Sequence, residues 1–271
     1  MSENTTQNFN DLLNSLKEVS NSFSLDIYIP SLKTNVGFKE LNTKQQKELL
    51  ETVTDTSIYK TKFTHTFLNI IKDNLVSKEV NIEQLTIYDK LYIGLFLRSK
   101  ISNTLNVVFS EDPSYSEVID IRPVIDNSVK YVHPDKETVT VVKDNTVINV
   151  EICIPTIVLE TQYESELSKN YKKMDDVKNV NDMGSLLSDA FIGEVSKYIN
   201  KISFDDKNID LEGLTVNQRI RLTELLTADL TQKILQKIAD WKGELDTFML
   251  VTSKDKEHKK VIALDNLLFL M

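Results

Sequence analysis

Val36-Gly37-Phe38-Lys39-Glu40-Leu41-Asn42-Thr43-Lys44-Gln45-Gln46-Lys47-Glu48-Leu49-Leu50 is the stretch on which the fold turns. Val36 and Phe38 alternate as a strand does, and Asn42 followed three residues on by Gln45 is a capping pair that opens a helix. Leu49, Leu50 and Val53 give that helix an inward face to about residue 53. Just upstream, residues 25–30 alternate with Ile27 and Ile29 on one side, so residues 25–41 read as a hairpin with its loop around 31–35. The unit is therefore a hairpin followed by a capped helix.

The same spacing recurs downstream. Ile209, Leu211, Leu214, Gln218, Leu222 and Leu226 match Val36, Phe38, Leu41, Gln45, Leu49 and Val53 at a constant offset of 173 residues. Ile202 and Phe204 match Ile27 and Ile29 with the offset slipped by two. Two readings stay open. Either the unit is duplicated, or any hairpin followed by a capped helix shows this pattern, because apolar spacing is set by the element.

Outward from these units, Phe9, Leu12, Leu13 and Leu16 repeat at helical spacing, as do Phe63, Phe67, Ile70 and Ile71 within a helix expected over 59–75. Thr86 and Asp89 form a second capping pattern, opening a largely apolar helix over 87–102. Residues 105–161 change character. Four of the five prolines lie there, and 107–109, 118–121, 138–142 and 147–154 are β-rich, with a hairpin turn at 143–146. A polar linker or exposed helix is expected over 165–181, a helix over 186–202, and a long one over 220–241. A late hairpin pairs 248–252 with 261–264. The class is α+β, mainly helical, with hairpins before helices and a small antiparallel β module in the middle. The expected division is residues 1–104, 105–164 and 165–271.

Composition narrows the function. A net charge of -9 and a pI near 5.0 make nucleic acid and anionic membrane poor partners. No apolar run approaches the length needed to span a bilayer, and residues 1–10 lack the pattern of a signal peptide, so a soluble cytosolic product is expected. The six glycines are all isolated, which removes Walker and dinucleotide phosphate cradles. A single cysteine, Cys153, excludes an intramolecular disulfide and any thiolate-rich metal site within one chain. His65, His133 and His258 form no local metal pair, and no glycine-flanked serine elbow is present. Asp175-Asp176 and Asp205-Asp206 read as solvated loop charge. No catalytic residue, cofactor or metal is therefore expected, and the chain reads as a non-enzyme. Its candidate partner-contact residues are Trp241 and the apolar run Leu267, Leu268, Phe269, Leu270 and Met271. The basic run Lys254, Lys256, Lys259 and Lys260 is weighed as a dock for an acidic partner or as a plain hairpin turn.

Residues 27–102 carry a resemblance. Ile27-Tyr28-Ile29-Pro30-Ser31-Leu32, then Val36 to Leu41, the Leu49-Leu50 pair, Thr86-Ile87-Tyr88-Asp89 and Leu95-Phe96-Leu97-Arg98 follow one another in this order. Together they resemble the phage baseplate protein family of T-even-type contractile tails. The resemblance covers under a third of the chain. It implies a virion structural subunit of the baseplate hub, whose partners are other hub or tail proteins and copies of itself, or else a hub assembly chaperone that leaves. Some relatives carry zinc-ribbon cysteine pairs in the β region. The lone Cys153 departs from that, so no metal is implied here. A tail-associated hydrolase is the alternative of another class, and a deep pocket joining a histidine to two carboxylates would favour it.

Overall fold

A computed structural model describes residues 11–12, 14–16, 24–52, 61–109, 115–143, 146–169, 180–205 and 207–264. The first elements are β1 (Ser24–Ile29), β2 (Thr34–Lys39), α1 (Thr43–Glu51), α2 (Thr61–Asn74) and α3 (Ile87–Ile101). The middle of the chain gives β3 (Thr104–Val108), β4 (Ser116–Asp120), α4 (Arg122–Ser128), β5 (Glu137–Lys143), β6 (Thr146–Ile152) and α5 (Ile157–Leu167). Then come α6 (Val180–Tyr198), β7 (Ile199–Phe204), β8 (Lys207–Asp210), α7 (Val216–Glu224), α8 (Ala228–Phe248), β9 (Leu250–Thr252) and β10 (Lys259–Val261). The architecture is α+β with antiparallel pairing throughout. Strands β1–β2, β3–β4 and β9–β10 form separate two-stranded ribbons, while β5-β6-β7-β8 is one sheet.

The hairpin-and-helix unit forms, but of its expected inward residues Leu49 is buried, Leu50 is exposed and Val53 lies outside the described residues. Ile27 faces Val36 and Leu25 faces Phe38 across β1–β2, and all four are buried. At α1, Gln45 N donates to Asn42 Oδ1 (2.9 Å) and Asn42 N donates to Gln45 Oε1 (3.2 Å), which satisfies two otherwise orphaned donors. The second unit repeats this. Thr215 and Gln218 make the same reciprocal cap, and α7 begins and ends 173 residues after α1. The slip of two has a plain cause. Four residues, 30–33, separate β1 from β2, whereas two, 205–206, separate β7 from β8.

Several expectations need correction. The segment from 105 to 164 is not a module apart. β6 pairs with β7, placing Val150 opposite Ile202, and one apolar core runs from Leu25 to Leu264. The expected boundary at 164 therefore lies between strands of a single sheet. Within that segment α5 replaces the end of the β run and the start of the linker. Its β-branched opening, Ile157-Val158, reads as strand, yet Thr156 Oγ1 accepts from Leu159 N (3.2 Å) and caps a helix. Pro123 near the start of α4 likewise opens a helical turn inside the β-rich stretch. The helix expected to reach 202 stops at Tyr198, because Ile199 onward is taken by β6. The long helix over 220–241 is two helices. Thr227 caps α8, and the four-residue step through Leu222, Leu226, Leu230 and Ile234 crosses the break because these residues pack on the same core.

The halves are stitched by backbone bonds from Ile87 N to Pro155 O (3.0 Å) and Ile157 N to Leu85 O (2.9 Å). Leu12 and Leu16 are helical and exposed, while Phe9 and Leu13 of that expected helix lie outside the described residues. Among the described residues no helix is long and apolar enough to cross a membrane.

Candidate functional site

Residues quoted above as separate motifs meet at Asp89, which is wholly buried at the start of α3. Its carboxyl accepts from Ser31 N (3.2 Å), Ser31 Oγ (2.5 Å), Thr86 N (2.7 Å) and Thr86 Oγ1 (2.7 Å). One side chain thus caps a helix and pins the β1–β2 turn, whose Ser31 lies 58 residues away. His133 closes the group. Its Nδ1 donates to Pro134 O (2.9 Å), its Nε2 lies 3.3 Å from Thr86 Oγ1, and burial pushes the imidazole below its ordinary range.

A serine, a histidine and an aspartate are therefore neighbours, but in the wrong order for nucleophilic catalysis. A relay needs the imidazole on the serine oxygen and the carboxylate behind it. Here Asp89 holds Ser31 Oγ directly and His133 meets threonine. The group is built as a joint.

A cleft of about 910 Å³ opens between α5 and the β8–α7 turn. Cys153 lies on its wall, beside a polar cluster in which Glu151 accepts from Lys136 Nζ (3.2 Å) and Asn200 Nδ2 (2.6 Å). Burial pushes the Cys153 thiol up, and the charged groups acting on it are Lys136, Glu151 and Arg219. A thiol raised this way stays protonated and is a poor nucleophile. His65, also on the cleft, is hydrogen-bonded to Ser165 (2.9 Å).

Beneath the cleft, Glu164 sits where four helices converge. Its Oε2 is enclosed without a hydrogen-bond partner. Burial first, then Glu160 on the same helix, push its carboxyl up to about 7, opposed by Lys90 of α3, Thr64 of α2 and Lys197 of α6. Lys90 is itself paired with Glu160. A carboxyl raised from 4.5 holds its proton better folded than unfolded. Its effect on stability is therefore neutral below about pH 4.5, and stability falls as pH rises to about 7. Glu164→Gln is expected to stabilise the fold at about pH 8 by on the order of 1–3 kcal/mol and to change little at about pH 4. Urea unfolding at both pH values measures the difference.

A histidine does meet two carboxylates at the β9–β10 turn. Ligand atoms of Asp255, Glu257 and His258 lie within 4.8 Å of one another, close enough to hold a metal ion. The turn is exposed, not a deep pocket. Asp255 is already committed to the Ser253 and Tyr115 hydroxyls and Glu257 N, contacts that hold its carboxyl down to about 2. In the basic run on the same hairpin, Lys260 Nζ donates to Val108 O (2.6 Å), tying it to β3.

Trp241, expected at a partner interface, is buried. It is 4% exposed, and Nε1 donates to Glu137 Oε1 (3.0 Å) on β5. The stepping of α8 turns it onto the sheet, a placement decided by a partner 104 residues earlier. Leu267, Leu268, Phe269, Leu270 and Met271 lie outside the described residues. The exposed apolar side chains are elsewhere, among them Leu225 (81%), Val132 (68%), Val142 (66%) and Leu187 (63%). Leu187 and Phe191 of α6 are exposed, whereas Val195 and Tyr198, at the same helical spacing, are buried.

No match is found to this chain among protein-family models, curated proteins or solved structures.

Proposed function

We propose that this chain is a structural subunit of the baseplate hub of a contractile phage tail, working through protein contacts and not through bond chemistry. The observation that carries the reading is the Asp89 joint. The two halves of the resembling stretch are bonded to each other, Ser31 at the half-buried turn to the buried carboxyl of Asp89. Motif residues with a shared architectural duty are what a scaffold subunit would retain. Two further features support it. Burial pushes the cleft's thiol up, and Ile209, Leu214, Leu222 and Leu225 form one contiguous apolar groove, as association surfaces require.

Mass spectrometry of purified mature particles tests the assignment. The chain is expected there in a constant ratio to other tail proteins. Its absence from particles, with the protein present in infected cells, would replace the subunit by an assembly chaperone.

A further inference from the structure

The two hairpin-and-helix units bury different faces of their helices. In the first, α1 turns Gln45, Leu49 and the following Thr52 inward. In the second, α7 turns Val216, Arg219 and Thr223 inward. Shifted by 173, the first set becomes Gln218, Leu222 and Leu225, which start two residues on and so turn away from the buried face at about 100° per residue, Leu222 only in part because it also packs on the core. With Ile209 and Leu214 they line an open groove of about 360 Å³. Two pairs of counterparts differ sharply in exposure, while Phe38 and Leu211 are both 0% exposed. Val36 is 0% exposed against 42% for Ile209, and Thr52 is 4% against 81% for Leu225. The bare face is also the more apolar of the two, since leucine stands where the covered unit has threonine.

The chain itself shows what such a face binds. In the first unit it is met by Asn74, Leu75, Val76 and Ser77. The Asn74 and Gln45 amides bond reciprocally (2.8 and 3.2 Å), Leu75 bridges to Phe38, Val76 N donates to Gly37 O (2.8 Å), and Gly37 N donates to Ser77 Oγ (2.8 Å). The second unit keeps two of these parts, the glutamine and a free strand edge, but not the glycine. Gln218 replaces Gln45, and β8 is an edge strand of its sheet, with Asp210 at the position of Gly37.

A second copy of the covering sequence exists. Ile70, then Asp73-Asn74-Leu75-Val76, is matched by Ile262, then Asp265-Asn266-Leu267-Leu268, at a constant offset of 192. We infer that residues 265–268 of one copy of this chain dock on the β8–α7 face of a second copy, as residues 73–76 dock on β2–α1. Asn266 pairs with Gln218, and Leu267 lies along β8. The docking is assigned between copies. Leu264 is buried over Gly94 of α3, so the chain reaches residue 264 at that helix and not at the groove. The groove is lined wholly by residues 209–225. Such a head-to-tail contact uses different surfaces on the two partners and repeats into a ring or a filament. It deepens the association reading by naming one partner and its face, but does not depend on the tail assignment.

Sedimentation velocity over a wide concentration range tests this on the full chain, a Leu225→Lys variant and a chain ending at residue 264. The full chain is expected to show mass above the 31.1 kDa monomer, rising with concentration, and both changes to return it to monomer. Leu225 is exposed, so its variant folds even if the shortened chain does not. A synthetic peptide of residues 262–271 is expected to bind the shortened chain, and to bind about tenfold more weakly after Leu225→Lys or Gln218→Ala. A full chain that stays monomeric at every concentration overturns the inference, whatever else covers the face. So does an oligomer indifferent to Leu225→Lys. Neither result bears on whether the chain is found in particles.

Discussion

Asp89→Ala is expected to lower the stability of the fold by roughly 2–5 kcal/mol, because it strands the buried backbone donor Thr86 N and the half-buried Ser31 N, together with two hydroxyls. Water cannot easily replace the carboxyl, since Asp89 is wholly buried. Asp89→Asn keeps one acceptor oxygen and should lose less. The cost should also couple to Ser31. In a double-mutant cycle, Ser31→Ala made in the Asp89→Ala background should cost much less than in the parent, since its partner is already gone. Urea unfolding of the four proteins supplies the cycle. Additive effects, or an Asp89→Ala cost below about 1 kcal/mol, would mean that the joint does not hold the turn to the helix.

Trp241→Ala should cost about 3–5 kcal/mol, the usual range for emptying an aromatic site in a core. The indole fills the contact between α8 and β5, and Glu137 is shared between its Nε1 and Lys237 Nζ (2.8 Å). Trp241→Phe retains much of the packing and leaves one Glu137 oxygen to Lys237, so it should cost far less. As the single tryptophan, Trp241 also reports on folding directly. Its emission should shift to the red on unfolding and stay unchanged when an associating protein is added. A Trp241→Ala protein as stable as the parent but unable to associate would return this residue to an interface.

How far such features could be read from sequence depended on range. The caps were legible because Asn42 with Gln45, and Thr86 with Asp89, are complete within four residues. The repeat was legible too, including the slip of two, since turn length enters the numbering directly. Within the joint, Ser31 and Asp89 were each marked, but no local rule places them in contact across 58 residues. α5 was missed because Ile157-Val158 favours strand in isolation, and tertiary burial of Ile157, Thr161 and Tyr163 overrides that preference. The break between α7 and α8 was hidden by periodicity itself, because two helices on one core can keep a common step. Trp241 was misplaced for a related reason. A lone large aromatic signals burial equally well inside a protein or beneath a partner, and only Glu137 decides between them.

The association account is most directly tested by a cryo-electron microscopy map of assembled contractile tails carrying this chain. It predicts density for the chain in the baseplate hub, with a neighbouring polypeptide seated over Ile209, Leu222 and Leu225. A map in which the hub contains no such chain, or in which those side chains face solvent on every copy, would contradict it.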